Sequence, residues 1–262
     1  MYTKEDLKRQ LECMNIQKTD TVLIHTSMKA IGPVENGADG VIDAFCEYLE
    51  DGLFLVPTHT WASVNAQNPV FDVTTAVPCI GALPRVAAQR KDGFRSLHPS
   101  HSIWGFGKDA EVFLQGDEKA FSGGTPGASW DRLPDRNTKI LLIGVGHNRN
   151  TYIHSLDERA KLPDRISPTP SFDVTVIDAH GNRYTHPYYC NQCSKTSDVS
   201  QFYVNFEKPL IELGAQTMGK LGNADVRIVD SKLCRDIILR IYQRAEEDIF
   251  TTYRDIPPEL YR

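Results

Sequence analysis

Short apolar runs alternate with amphipathic stretches through the first half of the chain. Residues 3–15 have the spacing of an amphipathic helix, with Thr3 in a capping position. Thr21-Val22-Leu23-Ile24-His25 is apolar and partly β-branched, and reads as a buried strand. In residues 38–50, Val41, Ile42, Phe45 and Leu49 share one helical face, with Cys46 beside them as a small core residue. Gly52-Leu53-Phe54-Leu55-Val56-Pro57 reads as the next strand. The order helix, strand, helix, strand predicts a parallel α/β core.

Further helices are expected at residues 80–89, 108–114 and 150–160, and strands at 102–106 and 139–145. The polar stretch 58–78 reads as one loop, of a length that often marks function. Past Pro163, residues 172–178 and 183–189 flank a Gly181-Asn182 turn, which predicts an antiparallel hairpin. Helices at 200–213 and 232–247 bracket a strand-like Val226-Arg227-Ile228-Val229, and a polar tail begins near Thr251. The expected fold is therefore α/β: a mixed, largely parallel sheet flanked by helices, with an antiparallel hairpin in the C-terminal half. It is read as a single domain over residues 1–262, with residues 251–262 as its tail.

Composition narrows the function classes. The chain has 262 residues, a formal net charge of -5 and a pI near 5.9, a balance that repels a phosphate backbone and argues against nucleic acid. It suits a cationic small molecule. The longest apolar runs are strand-sized and the first residues are polar, so the expected setting is the cytoplasm, away from membranes. Of six cysteines, only Cys190 and Cys193 form a C-x-x-C pair. His186 lies near them without an evident fourth ligand, so they read as reduced thiols in a loop and no metal is expected. Oligomeric state is not legible.

Three segments carry candidate chemistry. His25-Thr26-Ser27 ends the first strand, where ligands bind in open α/β sheets; its hydroxyls could equally satisfy their own loop. Arg95-Ser96-Leu97-His98-Pro99-Ser100-His101-Ser102 gathers two histidines, three serines and an arginine able to pair with a phosphate. In residues 150–158, His154 can meet Asp157 or Glu158 across one helical face. A carboxylate beside an imidazole suits a general base, and it also describes a plain surface ion pair.

Taken in order, these segments resemble the aminoglycoside 3-N-acetyltransferase family. The resemblance runs through residues 23–32, Asn36-Gly37-Ala38-Asp39-Gly40, Val56-Pro57-Thr58-His59-Thr60, Gly81-Ala82-Leu83-Pro84, the Arg95 block, Leu141-Leu142-Ile143-Gly144-Val145 and the His154 helix, with residues 219–224 later. It implies transfer of acetyl from acetyl-CoA to an amine, the 3-amino group of a 2-deoxystreptamine aminoglycoside, and hence antibiotic resistance. Thr26, Ser27, Met28, Lys29, Ile31 and Gly32 would contact coenzyme A, and Thr58, Arg95, Ser96, His98 and Ser102 would line the same cleft. His154 would be the base, supported by Asp157 or Glu158, because Asp157 stands where the family usually has a glutamate. A backbone N–H or a hydroxyl such as Thr58 or Ser102 would stabilise the oxyanion, and His25 or His98 would help position the groups. Rival readings are an acetyltransferase for another small-molecule amine, an inactive CoA-binding protein, and a hydrolase using Ser27 or Ser96. The last lacks a Gly-x-Ser-x-Gly elbow.

Overall fold

The computed structural model of the chain describes residues 1–246 and 250–262. Helix α1 (Lys4–Cys13) starts on a capping box between Thr3 and Asp6. Strands β1 (Thr21–Thr26), β2 (Leu53–Pro57) and β6 (Lys139–Ile143) lie side by side and parallel, with β1 in the middle. They are apolar almost throughout because helices cover both faces. Successive side chains of β1 sort to opposite sides. Val22 and Ile24 join the core with Leu7 and Leu11 of α1 and Val41 and Phe45 of α3 (Gly37–Tyr48). Leu23 faces Ile153 and Leu156 of α6 (Tyr152–Arg159) and Ile238 of α8 (Ser231–Arg244). His25, two residues past Leu23 and one short of the strand's end, lies on the α6 side.

The sheet turns antiparallel towards both edges. On one side β5 (Ile103–Gly107) pairs with β2, and β4 (Phe94–Arg95) closes the edge after α4 (Ala82–Gln89). On the other, β10 (Ala224–Asp230) pairs with β6, and β9 (Gln216–Leu221) follows it. A separate three-stranded sheet is built from β3 (Val70–Asp72), β7 (Phe172–Ile177) and β8 (Arg183–Tyr188). β7 and β8 are the expected hairpin, and β3 joins β7 in parallel, with Phe71, Val174, Val176 and Tyr188 in their own small core.

Three expectations are corrected. The 58–78 stretch contains β3. The strand at residues 226–229 has a partner, β9, which alternates too weakly to announce itself: only Gln216 and Leu221 at its ends are buried. The single helix expected at 200–213 is a 3-10 helix, Val199–Phe206, followed by α7 (Glu207–Glu212). Pro209 in the first turn of α7 has no N–H to continue an α-helical ladder across the junction. Helix α8 ends at Arg244, and the expected last residue, Glu247, lies outside the described residues. Among the described residues no helix is long and apolar enough to cross a membrane.

Candidate active site

A cleft of about 750 Å³ opens at the carboxyl ends of the central parallel strands. His25 and Thr26 come to it from β1, His59 from just beyond β2, and His154 from α6 beyond β6. The turn leading to α6 depends on Gly144. Its φ is +65°, and a Cβ there would stand 2.3 Å from the Cβ of Ala30. Across the cleft, β8 supplies Tyr188, the segment after it Cys190 and Cys193, and the 199–206 helix Val199 and Ser200.

Burial keeps the imidazoles neutral. His25 is pushed down to about 3, and His59 and His101 well below the ordinary histidine value, in each case mainly by desolvation. The Nε2 atoms of His25 and His59 are buried without a hydrogen-bond partner, as is Oδ1 of Asn150, and all three residues line the cleft. Trp130 packs behind both rings and donates its indole N–H to the carbonyl of His101 at 2.8 Å. Among the described residues no three His, Cys, Asp or Glu side chains are grouped to hold a metal, Cys190 and Cys193 included.

His154 is half-buried on the cleft wall, and desolvation holds it down to about 4. Its Nδ1 lies 2.8 Å from the Tyr203 hydroxyl, which donates to Oδ2 of Asp157 at 2.5 Å. The Tyr242 hydroxyl donates to the other oxygen, Oδ1, also at 2.5 Å. Nε of Arg165 stands 3.7 Å from the carboxylate. Burial raises Asp157 to about 6, against the pull of Tyr203, Tyr242 and Arg165. Glu158, next in sequence, turns elsewhere. Its Oε1 accepts the Gly124 N–H at 2.7 Å and its Oε2 accepts the Ser122 hydroxyl. The chain thus connects Asp157 to His154 through Tyr203, and ties Glu158 to the loop at residues 122–125.

The Arg95 block divides. Ser100 and His101 line the cleft, while Arg95, Ser96, His98 and Ser102 sit behind it. Arg95 donates to the carbonyls of Ala76 and Thr58 at 2.6 and 3.1 Å, and to the hydroxyls of Thr58 and Ser102. Thr58 and Ser102 bond each other at 2.8 Å and are fully buried. Their hydroxyls therefore point into a packed knot, which corrects both the oxyanion role expected of them and the phosphate role expected of Arg95. Ser96 accepts the Ile103 N–H, and His98 Nδ1 accepts from the N–H groups of Ser100 and His101. Of residues 26–32, only Thr26, the last of β1, reaches the cleft wall. Ser27 caps the one-turn helix α2 (Met28–Ile31), Ile31 is buried in the core, Lys29 is exposed and Gly32 takes a φ of +88°.

His59 in the cleft, and Tyr203 and Tyr242 behind its wall, were missed in the sequence. His59 follows a parallel strand just as His25 does, and that position was the available signal. Tyr203 and Tyr242 gave none, being 46 and 85 residues from the carboxylate they bind.

A mixed sheet with its cleft at the ends of the central parallel strands, floored by neutral imidazoles, defines an α/β enzyme. A profile of the family described as aminoglycoside 3-N-acetyltransferase matches residues 23–243, and the chain belongs to that family of acyltransferases. It is 28% identical over 256 residues to aminoglycoside N(3)-acetyltransferase III of Salmonella sp, covering 88% of each chain. It is 27% identical over 239 residues to aminoglycoside N(3)-acetyltransferase IV of Salmonella sp, covering 90% of this chain and 85% of that one. The crystal structure of aminoglycoside acetyltransferase AAC(3)-IVa, apoenzyme, shares the fold with a TM-score of 0.77 at 24% identity, over 98% of this chain and 93% of that one. So does AAC-IIIb in binary complex with CoASH, with a TM-score of 0.74 at 18% identity, over 89% and 93%.

Proposed function

We propose that this enzyme transfers the acetyl group of acetyl-CoA to an amine of an aminoglycoside, the 3-amino group of the 2-deoxystreptamine ring, with His154 as general base. The observation that carries the reading is His154 itself: a neutral imidazole on the cleft wall, anchored through Nδ1, with Nε2 on the far side of its ring. The relatives named above, aminoglycoside acetyltransferases, point to the acceptor. Six free cysteines fit the reducing cytoplasm as the working compartment.

The donor supplies an acetyl thioester, and the chain's own groups suit it. The unpartnered Nε2 positions of His25 and His59 are buried polar sites for the thioester oxygen, where an N–H strengthens its bond as charge develops. The segment from Thr26, which lines the cleft, to Gly32 holds the rest of coenzyme A. Asn150 Oδ1 accepts an N–H of the acceptor. His154 Nε2 takes the proton of the incoming ammonium. The freed nitrogen attacks the carbonyl carbon while Nε2 passes this first proton to solvent; Nε2 then takes a second proton from the adduct nitrogen and delivers it to the thiolate as the C–S bond breaks, leaving a neutral amide. Holding both reactants in one cleft removes the need for an acyl-enzyme.

A second acceptor class is favoured by the charge of the wall. Apart from histidines, the acidic and basic side chains that line it among the described residues are Asp198 and Arg149, a balance suited to an amine with one positive charge. Coenzyme A release, followed with a thiol reagent, decides between them on a panel of aminoglycosides, monoamino sugars and a no-acceptor control. Release that depends on an aminoglycoside supports the first reading, and release with monoamines alone supports the second. Rapid release without any acceptor sinks both. His154→Ala is expected to lower acceptor-dependent release by about 10²–10⁴-fold, the contribution of a positioned base.

A further inference from the structure

The geometry points to Tyr203 as a positioning residue that sets which nitrogen of His154 carries the proton, and so makes Nε2 the base. This role rests on the acetyl-transfer reading above.

The argument is one of counting protons. An ionised carboxylate only accepts hydrogen bonds, and a tyrosine hydroxyl has one proton to give. Asp157 receives that proton from Tyr203 at Oδ2 and another from Tyr242 at Oδ1, both at 2.5 Å. The Tyr203 oxygen then has only lone pairs for His154, whose Nδ1 is 2.8 Å away. Nδ1 must carry the hydrogen, which leaves Nε2 unprotonated towards the cleft. A free imidazole prefers the opposite arrangement, so the tautomer is imposed by the fold. Tyr203 is held for this task. It is buried in the 199–206 helix, which Asp198 caps by accepting the Ser200 N–H at 3.0 Å, and its ring meets that of His154 edge to face.

The charged neighbours agree. Arg165 flanks Asp157 at 3.7 Å and favours its ionised form. Asp198 favours a proton on His154, and Arg165 opposes one. Both tyrosines are pushed well above the ordinary phenol value, chiefly by burial, so they remain donors across the working range. When His154 takes the amine proton it becomes a cation with hydrogen on both nitrogens. Nδ1–H stays on the Tyr203 oxygen and the Tyr203 proton stays on Asp157. No proton travels along the chain; the carboxylate acts on the imidazolium through one intervening hydroxyl.

Nitrogen-15 NMR of imidazole-labelled protein, with His154→Ala to assign the signals, reads the tautomer directly and needs no substrate. The expected wild-type spectrum at pH 7.5 or so has His154 Nδ1 in the protonated range and Nε2 in the unprotonated range. Tyr203→Phe keeps the ring and removes the hydroxyl; its His154 signals are expected to move towards the Nε2–H form, while Tyr242→Phe leaves them in place. Turnover of Tyr203→Phe is expected to fall about 10- to 100-fold with KM for acetyl-CoA nearly unchanged, a part of what the positioned base contributes. A wild-type proton on Nε2 overturns the inference whether or not any variant folds, and so does an unchanged tautomer in Tyr203→Phe. A failed acetyl-transfer reading looks different: the tautomer is as expected, but no amine elicits coenzyme A release.

Discussion

Two buried polar clusters lie near the cleft, and they end differently. In the knot of Arg95, Thr58 and Ser102 the bonds run inward, from the guanidinium to two carbonyls and two hydroxyls, from hydroxyl to hydroxyl, and from the Ser102 hydroxyl to the Thr58 carbonyl. In the arm of Asp157, Tyr203 and His154, the bonds run outward and stop at a ring on the cleft wall. Burial and polarity are alike in both. What separates a support from a reactive group is whether the last polar atom in the series is already engaged. The knot fixes the wall; the arm presents a nitrogen through it.

The comparison breaks most sharply at Arg95. Replacing it with Met keeps much of its packing, including its place 5.3 Å from the centre of the Phe71 ring, and removes every hydrogen bond. The Thr58 and Ala76 carbonyls lose charged donors, the first of them fully buried. The expected loss of stability is on the order of 2–3 kcal/mol, the cost of leaving buried acceptors without their donor. Chemical denaturation checks it. Where folded protein remains, its turnover should stay near that of wild type. A variant of unchanged stability and collapsed turnover would place Arg95 in the chemistry after all.

The contrast also explains what the sequence disclosed. β1, β2 and β6 were legible because strands covered on both faces are almost unbroken apolar runs, and the His154 helix was legible from the strand before it. β3 and β9 were not, since short edge strands lack a full buried stripe. The Arg95 block was visible as a dense polar cluster, but residue types do not say which way a guanidinium points. The choice between Asp157 and Glu158 was likewise closed to sequence, because both lie within one turn of His154. The two carboxylates differ in their partners, Ser122 and Gly124 for one and Tyr203 and Tyr242 for the other, and all four come from distant segments.

Acid pH offers a gentler test of the arm. Burial raises Asp157 to about 6, while His154 itself is held near 4. As pH falls through 6 the carboxylate gains a proton and its support of the imidazolium is lost, although His154 is still neutral. The acidic limb of kcat is therefore expected near 6, approaching tenfold per pH unit below it. The sign for stability is opposite. A folded value above the unfolded one of about 4 means that this group's stabilising contribution is present below 4 and is lost as pH rises through 6. A limb near 4 would assign control to His154 alone.

The smallest effect is expected at Glu158, although it is the nearest neighbour of Asp157 and is also raised by burial to about 6. Glu158→Gln keeps the shape and one amide oxygen, enough for either the Gly124 N–H or the Ser122 hydroxyl. One charge-assisted bond to the loop weakens, at a cost of about 1–2 kcal/mol. In a chain of this size that lowers Tm by roughly 2–8 °C. Turnover should stay within a few-fold of wild type, because the loop backs α6 by packing: a Cβ at Gly124 would come within 2.6 Å of the His154 carbonyl oxygen. The acidic limb of kcat should also stay near 6, since Asp157 is untouched. Paired melting curves and pH profiles for Glu158→Gln and Asp157→Asn separate the two acids. If Glu158→Gln instead removes the limb and most of the turnover, the support of His154 runs through the loop at residues 122–125, and the distinction between the two neighbouring carboxylates fails.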